Sequence, residues 1–126
     1  MILFIIGRLL FGGYFLLNGY NHFAGLSAMS EAAKTKDVPW PKAAVIISGI
    51  LLLLGGSGMI LGIYVPLAAL ALILFLIPVT FKMHAYWRMT DPGERMVNKI
   101  NFAKNLALLG ADLMILFIPL PWPYSL

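Results

Sequence analysis

The segment Asn98–Asp112 (NKINFAKNLALLGAD) constrains this chain more than any other. It opens the last hydrophobic run, which continues to Ile118, yet it carries Asn98, Asn101, Lys104, Asn105 and Asp112. Asn98, Asn101, Asn105, Leu108 and Asp112 follow steps of three, four, three and four, so in a helix they share one face. The opposite face, with Phe102, Leu106, Leu109 and Leu113, is apolar. In water the polar stripe would be the wet side of a surface helix. In a bilayer its sense inverts: apolar residues face lipid, and polar ones turn toward protein or a wet cavity.

Composition selects the bilayer. With 61% hydrophobic and 11% charged residues, and a mean hydropathy of +0.91, no soluble domain of this size could hide its apolar surface. The expected fold is all-α: a polytopic four-transmembrane-helix bundle, one domain over residues 1–126, with spans near 2–23, 43–63, 67–87 and 100–118. The chain has no Cys, which excludes disulfides, thiolate catalysis and Cys-ligated zinc or iron–sulfur centres. The net charge of +4 is not a nucleic-acid signal, because the basic residues fall at segment ends and no DNA- or RNA-binding motif is present. The first partner is the lipid bilayer.

Along the chain, the first span begins apolar without the basic leader of a secretory signal and is read as retained. Arg8, Gly12, Phe15, Gly19 and His22 again step by four, three, four and three, and the two glycines read as packing positions. Ala24–Lys42 is the longest polar connection. It contains a short helix through Lys36, broken by Asp37-Val-Pro-Trp-Pro, and either lies on the membrane surface or covers a buried site. Gly58-x-x-x-Gly62 marks a close-packing face on the second span, and Pro78 is expected to kink the third. Thr80, His84 and Trp87 can share a face beyond that kink, whereas Lys82 points away and snorkels.

The two connections on one side of such a bundle carry Lys34, Lys36, Lys42, Arg88, Arg95 and Lys99. The side bearing the termini has no basic side chain outside the membrane, so the positive-inside rule places both termini outside the cytoplasm.

Several polar groups are expected at similar depth near the cytoplasmic ends. They are Asn18 and His22 from the first helix, His84 and Trp87 from the third, and Asn101 and Asn105 from the fourth. Amides and imidazoles can hydrogen-bond a carbonyl or phenol head group, which is the equipment of a quinone pocket. The bland alternative is a hydrogen-bonded cap joining helix ends, with no ligand. Two histidines on different helices also suit bis-imidazole haem, but neither lies deep in its span, and no carboxylate accompanies them for a metal site. No catalytic residue can be named. At the opposite end, Arg8 and Asp112 each lie about six residues inside the membrane, roughly 9 Å deep at 1.5 Å per residue. An isolated charge there costs about 2.5–3.5 kcal/mol, so a structural ion pair between the first and last helices is expected.

Gly7-Arg8-Leu9-Leu10-Phe11-Gly12, Phe15-Leu-Leu-Asn-Gly19 and Ser48-Gly-Ile-Leu-Leu-Leu-Leu-Gly55 together resemble the DoxX family. So do Phe81-x-x-His84-x-x-Trp87 with Asp91-Pro92, and Asn101-Phe-Ala-Lys104-Asn105-Leu-Ala-Leu-Leu-Gly110, so the resemblance covers nearly the whole chain. It implies a small four-helix protein of the inner (plasma) membrane beside membrane or peripheral redox subunits, because the family's namesakes accompany thiosulfate:quinone oxidoreductase. The chain departs from the family pattern at His22, where relatives often have Lys, and at Val45, where they often have an acidic residue. The leading expectation is a redox-associated, quinone-linked membrane subunit; the alternative is a non-catalytic assembly or stabilising subunit. Whether the chain has an activity of its own, and whether it forms a homo-oligomer, stay open at this level.

Overall fold

The computed structural model describes residues 1–126, and they form five α-helices. These are α1 (Ile2–Ala24), α2 (Leu26–Thr35), α3 (Pro41–Leu61), α4 (Val65–Met83) and α5 (Pro92–Ile115), with a 3-10 turn at Tyr86–Arg88 between the last two. α1, α3 and the segment Val65–Arg88 are long and apolar enough to cross a membrane. α5 is long enough, but its polar stripe lowers its hydropathy, and it does not join that set.

Local chemistry sets the boundaries. Pro41 opens α3 at a position where no N–H is needed. Gly62 closes it in the left-handed region at φ 71°, and its N–H donates to Gly58 O at 2.8 Å. Gly62 therefore ends the helix rather than continuing the expected packing motif with Gly58. Asp91 caps α5 by accepting from the Glu94 N–H at 2.9 Å, which starts the helix eight residues before the span expected from hydropathy. α4 carries Pro78 inside it and stops at Met83, so Trp87 lies in the 3-10 turn and not on a shared helical face with Thr80.

α1 packs on α3, α3 on α4, and α4 on α5, while α2 lies across α3. Glycines make the first contact close. A Cβ on Gly12 would sit 2.7 Å from Gly56 O, and one on Gly19 would sit 3.2 Å from Gly49 O. These glycines serve backbone packing, as their spacing implies. The buried face of α1 is the expected one: Arg8, Gly12, Phe15 and Gly19. On α5 the buried residues are Asn105 and Asp112, again from the expected stripe.

Phe15, Leu52, Met59, Leu72 and Leu76 form the centre of the core with Trp122. Only 24 of 126 residues are buried, while Leu3, Leu10, Leu17, Leu54 and Leu67 stand more than half exposed on the outside. A water-soluble chain would not present that surface; a multi-pass membrane protein presents it to acyl chains. Lys36 pairs with Glu94 at 3.1 Å, which puts the connection around α2 and the start of α5 at the same end of the bundle.

Candidate functional site

At that end, α2, the first half of α3 and the last half of α4 enclose a cavity of about 730 Å³, within the range that holds small ligands. Its walls are mainly apolar, with Met29 from α2, Val45 and Leu51 from α3, and Phe75 from α4. The connection Ala24–Lys42 thus contributes a wall to the cavity. Its polar lining comes from His22, Ser48, Lys82 and His84. Lys82, expected to point away from His84, instead shares this lining with it, and its side chain is exposed.

Each imidazole is held from behind. His22 Nδ1 lies 2.7 Å from the Asn18 carbonyl oxygen, one turn back on α1, and its ring meets Phe75 edge-on at 5.7 Å. His84, at the C-terminal cap of α4, has Nδ1 2.9 Å from Asn98 Oδ1. Asn98 is itself oriented, because its Nδ2 donates to Glu94 O at 2.9 Å. The two rings do not lie at one depth: His84 follows Phe75 by nine residues, roughly 13 Å along α4 at 1.5 Å per residue. They bracket the cavity instead of meeting across it.

Pro78 also borders the cavity. It has no N–H to give the carbonyl of Leu74 one turn earlier, and Leu74 is a wall residue as well. The proline therefore leaves a backbone acceptor without its helical donor beside the cavity.

Of the six residues expected to form a head-group site, only His22 and His84 line this cavity. Asn18 donates its amide to Tyr14 O at 2.8 Å within α1. Trp87 belongs to an aromatic cluster, with ring centroids 5.5 Å from Phe102 and 5.3 Å from Tyr86. Asn101 and Asn105 face inward from α5 but lie outside the lining. Asn98, from the same stripe, is the residue that reaches His84. No three His, Cys, Asp or Glu side chains come together. Phe75 has no distinguishing sequence signal, Ser48 stands out only as the start of a small-residue motif, and the proline inside the third span is a visible signal.

The expected Arg8–Asp112 pair is not formed. Arg8 donates to Met59 O at 3.3 Å, Ile60 O at 2.7 Å, Tyr124 O at 3.5 Å and Pro123 O. The carbonyls at the end of α3 lack helical partners, and a cation suits the negative end of the helix dipole. Arg8 also lies over the rings of Trp122 at 5.7 Å and Phe4 at 6.0 Å. Its donors are thus consumed by α3 and the C-terminal segment. Asp112 is fully buried with both carboxyl oxygens unpartnered.

Residues 3–85 match the family model described as DoxX. The chain is also similar to the Inner membrane protein YphA of Escherichia coli (strain K12), 26% identical over 114 residues, which span 90% of this chain and 81% of that protein. No solved structure matches.

Proposed function

The chain belongs to the DoxX family, and from that premise we propose that it holds a quinone-type head group in the cavity between α2, α3 and α4 and works beside a redox partner. In this reading it is a single four-helix domain over 1–126 of the inner membrane, with α5 as the fourth span and both termini outside the cytoplasm. The similarity to an inner membrane protein supports that location, and the basic residues gathered in the two connections support the orientation. The observation that carries the proposal is the cavity itself: mainly apolar walls, room for a substituted ring, and two imidazoles in its lining.

Photolabelling tests it. An azidoquinone with a short isoprenoid tail, irradiated with the purified protein in nanodiscs, should mark peptides containing His22–Leu51 and Leu74–His84, and excess unlabelled quinone should suppress the marks. No labelling, or labelling confined to α5, refutes the site.

A second reading, a non-catalytic assembly or stabilising subunit, draws support from Arg8, Asn18 and Asn98, whose donors are spent inside the chain. It expects no quinone labelling, together with loss of a partner complex when the gene is deleted.

A further inference from the structure

The hydrogen bonds behind the two imidazoles decide what the cavity offers in front. A backbone carbonyl only accepts, so at 2.7 Å from Asn18 O the His22 Nδ1 must carry the proton. The same holds for His84. Glu94 O requires a donor from Asn98, which fixes the amide nitrogen there and leaves Oδ1 as an acceptor 2.9 Å from His84 Nδ1. In the neutral form both rings are therefore Nδ1–H tautomers, and Nε2 of each is an unprotonated acceptor. Ser48 follows the same logic: its hydroxyl donates to Ala44 O at 2.7 Å, so only its lone pairs remain. The Leu74 carbonyl beside Pro78 is a further acceptor. Apart from the exposed ammonium of Lys82, the polar groups along the wall accept and do not donate.

We infer that the cavity selects the hydroxylated, hydrogen-bond-donating form of its ligand, a hydroquinone or similar phenolic amphiphile, over the corresponding quinone. This rests on the reading of the cavity as a quinone-type site. A quinone presents two carbonyls, which would face lone pairs in a mainly apolar cavity. A hydroquinone presents two hydroxyl donors to the same acceptors. A site whose polar groups, the exposed Lys82 apart, all accept penalises the analogue that cannot donate.

The chain has only two histidines, so labelling with 15N-histidine reports on these two rings alone. At about pH 8, where free imidazole is neutral, solid-state NMR of the protein in lipid should show Nδ1 protonated and Nε2 bare in both. Adding decylubiquinol under argon should shift the bare Nε2 signals, whereas its dimethyl ether should not. Decylubiquinol should also bind about tenfold or more tightly than decylubiquinone. A ring protonated at Nε2 overturns the inference. Equal or tighter binding of the quinone overturns it too, while leaving the cavity as a quinone-type site. If neither form binds, both readings fall.

Discussion

Replacing Arg8 with Met tests how the outer end of the bundle is held. The guanidinium is 6% exposed and makes two short hydrogen bonds, to Ile60 O and Pro123 O, plus two longer ones. Hydrogen bonds from a charged donor contribute about 1.5–3 kcal/mol each, and Met keeps the aliphatic contact with Phe4 and Trp122. Taking the lower value for the two short bonds and little for the others, Arg8→Met should cost about 3 kcal/mol. Asp112→Leu should cost nothing or stabilise, since it removes a buried carboxyl whose oxygens have no partner. The double mutant should equal the sum of the two within about 0.5 kcal/mol. Unfolding in mixed micelles, followed by circular dichroism, gives all three values. Hydrogen exchange at the Leu126 N–H, which donates to Leu61 O at 3.2 Å, should accelerate in Arg8→Met alone and in the double mutant. The argument fails if Asp112→Leu destabilises as much as Arg8→Met and the double mutant is no worse than either.

Gly12→Ala should destabilise by about 1–3 kcal/mol, because its Cβ would meet Gly56 O at 2.7 Å, whereas Gly13→Ala, with nothing within 4 Å, should stay within about 0.5 kcal/mol; thermal melting in detergent compares them. Orientation is open to single cysteines, since the chain has none of its own. In spheroplasts an impermeant thiol reagent should modify Ser125→Cys and spare Ser30→Cys, and the reverse pattern would invert the topology.

The helical faces could be read from spacing because lipid and core impose one periodicity on both α1 and α5. Arg8, Gly12, Phe15 and Gly19 are buried together for that reason, as are Asn105 and Asp112. Partners were harder to read. Two charges at one depth need not pair with each other, because free backbone carbonyls at a helix end serve a guanidinium equally well. Nothing in hydropathy shows that the chain after Ile115 folds back to present two more. The site was half legible for a similar reason. His22 and His84 stood out as polar residues near helix ends. The cavity, however, arises because α2 packs across α3 and leaves a space that α4 also walls, and the nearer Tyr14 carbonyl satisfies Asn18.

The walls of the cavity are complete at His84, with α5 and the C-terminal segment still to follow. In the proposed reading, the residues that hold the ligand are thus separate in sequence from α5. The outward surface of α5, including Met96, Val97, Ile100 and Met114, contributes no wall residue. The His84–Asn98 hydrogen bond and the Lys36–Glu94 pair join the two parts at the cavity end, and the bonds of Arg8 and Leu61 to the C-terminal segment join them at the other. Substitutions on that outward face therefore leave the cavity intact so long as Asn98 and Glu94 keep their bonds to His84 and Lys36.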